Sequence, residues 1–105
     1  MSYSVVLTAP AKNDLREIYK YIAFDLQSEQ NAAMLLDRLE KAIGSLRTMP
    51  ERFRVYEHPV WKERNLRIMP VDKYLIFYIP SHDERTVTIL RIMYGGRDID
   101  NLLHN

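Results

Sequence analysis

The stretch Tyr74-Leu75-Ile76-Phe77-Tyr78-Ile79 decides the fold. It is a short run of β-branched, aromatic and aliphatic residues between Lys73 and Pro80, too brief for a buried helix, and it reads as a strand. Successive strand side chains point to opposite sides. Tyr74, Ile76 and Tyr78 therefore share one face, and Leu75, Phe77 and Ile79 share the other. The all-apolar set is expected to meet the helices, leaving the tyrosines on an open face. Downstream, Pro80-Ser81-His82-Asp83-Glu84 is a turn-rich break. Arg85 to Tyr94 is then a last long strand, ended by Gly95-Gly96. Upstream, Asn65 to Met69 alternates and stops at Pro70, and Val71-Asp72-Lys73 turns the chain into the central strand. Phe53-Arg54-Val55-Tyr56 reads as a short strand or an extended loop, closed by Pro59.

Before Glu51 the period is helical. Thr8 followed by Pro10 is a helix start, with a capping hydroxyl and a proline in the first turn. Leu15, Ile18, Ile22 and Leu26 fall on one stripe. Ser28 can cap a second helix, whose apolar face is Leu35, Leu36, Leu39, Ile43 and Leu46. It should stop before Pro50, because the residue preceding a proline is pushed out of the helical region. The short Gln27-Ser28 connection makes the pair a helical hairpin. Residues 3–8 read as a first strand, and Asp98 to Leu103 as a final helical turn. The order β-α-α-β-β-β predicts an α+β fold, in which an N-terminal strand and a two-helix hairpin precede a three- to four-stranded, mainly antiparallel sheet.

At 105 residues the chain is expected to be one domain, residues 1–105. It is 47% hydrophobic and 28% charged, the balance of a globular protein. No apolar run is long enough to cross a bilayer. Met1-Ser2-Tyr3-Ser4 lacks the features of a signal peptide, so a cytoplasmic protein without membrane partners is expected. With no cysteines, disulfides, thiolate zinc sites and cysteine nucleophiles are excluded. His58, His82 and His104 are too scattered for a metal-ligand spacing, and no glycine-rich phosphate loop or GxSxG motif occurs. No metal or cofactor is expected.

Net charge is +1, but its distribution is uneven. Between Arg52 and Lys73, Arg52, Arg54, Lys62, Arg64, Arg67 and Lys73 stand against Glu57, Glu63 and Asp72. That surplus, interleaved with Phe53, Tyr56, Trp61 and Tyr74, suits a phosphate-rich partner; it equally suits a strand surface kept soluble by charge. Arginine and tyrosine also concentrate around the sheet at Arg67, Tyr74, Tyr78, Arg91, Tyr94 and Arg97. Arginine offers a fixed fork of donors for phosphate, and tyrosine can stack on a base or move a proton. A metal-free ribonuclease could use such a set. The tyrosines can also be amphipathic cover for a thin sheet.

Tyr74-Leu-Ile-Phe-Tyr78, followed by Ile89-Leu-Arg-Ile-Met-Tyr-Gly-Gly-Arg-Asp98, resembles the C-terminal signature of RelE/ParE toxins, and ParE-like members in particular. Val5-Val6-Leu7-Thr8-Ala9-Pro10-Ala11-Lys12-Asn13-Asp14-Leu15 is similar to the family's opening strand and "A-x-x-D-L" helix start, and Met49-Pro50 with Arg52 or Arg54 to the end of its second helix. The resemblance implies the toxin of a type II toxin–antitoxin module, a plasmid-stabilisation type of system that arrests growth until its cognate antitoxin neutralises it. Operator DNA would be reached only through the antitoxin. Two targets follow. RelE-like members cleave messenger RNA on the ribosome without metal, and ParE-like members poison DNA gyrase. For cleavage the resemblance marks Tyr94 and Arg97, which with Arg67 and Arg91 of the arginine–tyrosine set are the catalytic candidates. For target contact it implies Arg64, Tyr74, Tyr78, Arg97 and Asp98. For the antitoxin it implies Ala32, Leu35, Leu36 and Leu39 on the second helix, an apolar surplus that also reads as a wide core face under a curved sheet. Leu75 stands where RelE-like enzymes keep an arginine, and Leu103 near their C-terminal tyrosine. Both departures favour the ParE-like branch.

Overall fold

A computed structural model describes residues 2–96 and residue 103. Strand β1 (Ser4–Leu7) leads into helix α1 (Ala9–Lys20). Thr8 caps α1, its hydroxyl accepting a hydrogen bond from the Ala11 amide, and Pro10 lies in the first turn where no amide proton is needed. A π-helical turn (Tyr21–Asp25) extends α1. The Leu26 amide donates to the Tyr21 carbonyl, five residues back. The wider turn rotates the helix phase, so Leu26 leaves the stripe of Leu15, Ile18 and Ile22 and stands exposed rather than joining the core as expected.

Helix α2 (Glu29–Gly44) returns antiparallel, as the short connection predicts. Ser28 occupies the N-cap position, although its side chain makes no capping bond. A 3₁₀ turn (Ser45–Arg47) finishes this helical stretch before Pro50. A short helix α3 (Pro59–Glu63) is an element the periodicity missed. It has less than two turns in which to show a repeat, and its one signal is Pro59 at the first helical position. Strands β2 (Arg67–Val71), β3 (Tyr74–Ser81) and β4 (Thr86–Tyr94) complete a sheet in the order β1-β4-β3-β2. The pairs β2–β3 and β3–β4 are antiparallel, while β1 lies parallel to β4. Pro70 sits inside β2 instead of ending it, as a proline can in a strand at the sheet margin. The expected strand near Val55 reduces to a single bridge with Arg67. The expected helical turn over 98–103 lies outside the described residues except at Leu103.

The tyrosine face is the reverse of the one expected. Tyr78, Ile76 and Tyr74 pack with Leu35, Leu39 and Ile43 of α2, while Phe77, Leu75 and Ile79 pack with Trp61, Leu66 and Met93 on the other side. The physical reason is that both faces are covered. The helical hairpin lies over one, and α3 with its neighbours, joined by Leu103, lies over the other. Alternation between two apolar sets then carries no information about which set meets the helices. Tyr78 fits the helix side because its ring is fully buried while its hydroxyl donates to the Pro50 carbonyl at 2.6 Å.

A β-bulge interrupts the β3–β4 register. Tyr78 pairs with Ile89 and Phe77 with Arg91, which leaves Leu90 as the extra residue. Val87 and Ile89 face the helices before the bulge and Ile92 does so after it, while Leu90 and Met93 belong to the opposite cluster.

Candidate functional site

The candidate residues fall into separate groups. Arg67 and Tyr78 are cross-strand partners on β2 and β3, and both hold the segment after α2. Arg67 Nη1 donates to the Glu51 and Phe53 carbonyls at 2.8 and 2.7 Å, and its guanidinium pairs with the Glu51 carboxylate at 3.4 Å. Arg52, which the family pattern marks only as a helix-end residue, closes the same segment. Its guanidinium donates to the Ser45, Thr48 and Met49 carbonyls, the orphan acceptors of a helix end. Met49 is thereby held in the left-handed region at φ 47°.

Burial pushes the Tyr78 phenol up to about 12, with Arg67 and Arg52 pulling it back only in part. The neutral hydroxyl is therefore a donor at ordinary pH and a poor proton acceptor. The folded value lies above the unfolded one near 10. The group accordingly contributes stability below that pH and loses its contribution as pH rises through about 12. Tyr78→Phe should cost about 1–3 kcal/mol at neutral pH by orphaning the Pro50 carbonyl. It should also remove the steepest part of the alkaline unfolding curve, as followed by circular dichroism against pH. An unchanged alkaline limb would contradict this assignment.

Arg91 belongs to a second group. Its Nε and Nη2 fork onto the two oxygens of Asp14, at 2.8 and 3.0 Å, and the Ile92 amide donates to the same carboxylate at 2.9 Å. The hydrogen bond to Asp14 raises the guanidinium's already high pKa, overcoming burial that acts the other way. The geometry explains the site. Strand β1 ends opposite Ile89, so beyond that point no strand among the described residues lies on the outer edge of β4. Residues around α1 take over: the Thr8 amide donates to the Ile89 carbonyl, its hydroxyl to the Leu90 carbonyl, and Asp14 receives the Ile92 amide. The "A-x-x-D-L" and "I-L-R" motifs thus meet as one ion pair across the fold. Nothing in the spacing of the two motifs along the chain marks them as partners.

Arg64 is exposed on the opposite side of the sheet, its guanidinium 4.9 Å from the centre of the Trp61 ring. Tyr74 and Tyr94 meet edge to face at 5.8 Å, across the β3–β4 pair. Burial, then the nearby Tyr21 and Tyr94 phenols, raise the Tyr74 pKa. The sequence-predicted target set is therefore not one patch: Arg64 lies on one face, Tyr78 inside the core, and Tyr74 with Tyr94 near the π-turn. Arg97 and Asp98 lie outside the described residues. Of the four α2 residues expected to meet an antitoxin, Ala32, Leu35 and Leu39 are buried in the core. Leu36 instead lines an open apolar groove of about 790 Å³ with Val5, Leu7, Leu15, Phe24 and Ile43, between α1, α2 and β1. Among the described residues, no cluster of three or more His, Asp or Glu stands where it could hold a metal ion. No described helix is long and apolar enough to cross a membrane.

A strand, a two-helix hairpin and a mixed sheet closed by a parallel first strand define the architecture of RelE/ParE-type toxins. The family of ParE toxins of the type II toxin–antitoxin system parDE matches residues 5–99. The chain belongs to this family and is a toxin of the type II toxin–antitoxin class. Solved structures agree on the fold. It is similar to a chain of the chromosomal ParDE system from P. aeruginosa at 18% identity and a TM-score of 0.73, covering 89% of this chain and 96% of that one. It is similar to a chain of the RelBE2 toxin–antitoxin complex from Mycobacterium tuberculosis at 22% identity and a TM-score of 0.63, covering 90% and 99%. A doubly substituted E. coli RelE toxin in the free state is similar at 10% identity and a TM-score of 0.68, covering 97% and 93%. No curated protein matches the sequence.

Proposed function

We propose that this toxin arrests growth by binding a type II topoisomerase, DNA gyrase, rather than by cutting messenger RNA. The observation that carries this reading is the commitment of the arginines. A metal-free ribonuclease needs guanidiniums aimed at phosphate and a group able to take a proton near neutral pH. Here Arg67 is turned onto backbone carbonyls of the segment after α2, and Arg91 is forked onto Asp14. Tyr78 is buried with a raised pKa, so it supplies neither stacking nor base chemistry. These residues build the scaffold, and Arg97 and Asp98 remain in the reading as target contacts on the strength of the C-terminal motif alone.

The cognate antitoxin is proposed to seat an apolar segment in the groove beside Leu36, the one member of its predicted contact set that lines it. The test combines two assays. Purified toxin added to gyrase, relaxed plasmid and ATP should abolish supercoiling and accumulate linear DNA, and equimolar antitoxin should relieve both effects. Undisturbed gyrase would overturn the proposal. Discrete new 5′ ends in translated messages after induction would then transfer the function to a ribonuclease built on Tyr94 and Arg97.

A further inference from the structure

A second cleft, of about 810 Å³, opens where the π-turn approaches the ends of β3 and β4. Tyr21, Phe24, Tyr74 and Tyr94 line it. Three of these rings remain well exposed, at 52% for Tyr21, 62% for Phe24 and 46% for Tyr94, although they converge on one cavity. Exposed aromatic rings gathered from two elements, the π-turn and β4, beside the half-buried Tyr74 of β3, are costly to leave facing water. The π-turn is the device that puts two of them there, since its extra residue resets the direction of the side chains that follow. The polar lining is acidic. Asp14, Glu17 and Asp25 face Lys20 among the described residues. Asp14 is neutralised by Arg91. The Glu17–Lys20 pair is 3.8 Å apart with both side chains more than half exposed, so it is weak and easily rearranged.

Aromatic faces carry negative quadrupoles, and beside the Asp25 carboxylate and the loosely held Glu17 they attract cations and repel phosphate. We infer that this cleft binds a cationic side chain, an arginine or lysine presented by a basic segment of a partner protein. The flat guanidinium is the better fit, because it stacks on tyrosine and phenylalanine while donating to Glu17 or Asp25 from its edge. Nucleic acid is disfavoured by the sign of the lining charge. The inference does not rest on the topoisomerase reading, since it concerns a ligand class and not the identity of the target.

The probe is a blocked pentapeptide with two arginines, titrated into isotopically labelled toxin at low salt. Its control is the same peptide with citrulline, the neutral isostere of arginine. The arginine peptide should shift the ring resonances of Tyr21, Phe24, Tyr74 and Tyr94 saturably, and the citrulline peptide should not. Phe24→Ala and Tyr94→Ala should each weaken binding about two- to fivefold, as loss of one exposed cation–π contact implies. Glu17→Gln with Asp25→Asn should abolish the preference for arginine over citrulline. All four positions are exposed, so the variants should keep the fold; an unchanged amide spectrum verifies this. Equal binding of both peptides, shifts that bypass these rings, or stronger binding of a dinucleotide would each overturn the inference.

Discussion

Replacing Trp61 by alanine should cost about 3–5 kcal/mol of stability, the range for emptying a large aromatic site. Trp61 is 8% exposed and packs in the cluster on the second sheet face with Leu66, Ile68, Phe77 and Met93. It projects from a five-residue helix, which has little stability of its own and holds its place chiefly through this ring. Without the indole, Phe77 and Met93 lose part of their cover and Arg64 loses the surface on which it stacks. Since whole domains are stable by only about 5–15 kcal/mol, the variant should sit close to its unfolding threshold. Urea unfolding followed by far-ultraviolet dichroism measures this, because the variant lacks the one tryptophan. Trp61→Phe should recover most of the loss. A cost below about 1 kcal/mol for the alanine variant would mean that α3 is not structural cover.

The second large effect is expected at Asp14. Asp14→Ala should destabilise by about 3 kcal/mol, at the lower end for breaking a buried pair because Arg91 keeps some contact with water. The side chains are 12% and 25% exposed, so solvent cannot fully replace the lost carboxylate. The Ile92 amide is orphaned and the Arg91 guanidinium loses its forked carboxylate partner. The melting temperature should fall by more than about 10 °C. Adding Arg91→Met should restore part of the loss by removing a half-buried cation that has lost its carboxylate. Calorimetry on the two single variants and the double variant measures the coupling. Strictly additive losses would show that the pair does not act as one unit.

Both sites show what a single sequence discloses. The helices and strands were legible because their repeats run for several turns or several alternations. The edges of that legibility are physical. One extra residue in the π-turn shifts Leu26 off its stripe, and one extra residue at Leu90 shifts the parity of β4, yet neither insertion has a local sequence mark. The two faces of β3 could not be told apart, since each is apolar and each is covered. Motif matching found Asp14 and Arg91 independently but could not join them across the fold. Arg67 and Tyr78 were singled out by residue type, which suits phosphate chemistry, while their geometry sets them to hold the Pro50–Phe53 backbone. The aromatic cleft went unseen because Tyr21 and Phe24 belong to a helix whose phase changes beneath them.

The parallel pairing of β1 with β4 has a consequence for the order of events during synthesis. Ser4 must find Thr86, and Leu7 must find Ile89. Contacts this distant along the chain close late and slowly. On a ribosome, β1 leaves first and its strand partner emerges only after the helical hairpin, α3, β2 and β3. Until then the apolar groove has no fixed β1 wall, and the outer edge of β4 has not been sealed by Thr8 and Asp14. Closure of the sheet therefore waits for its last strand, and between the completion of α2 and that of β4 the hairpin stands without its β1 wall.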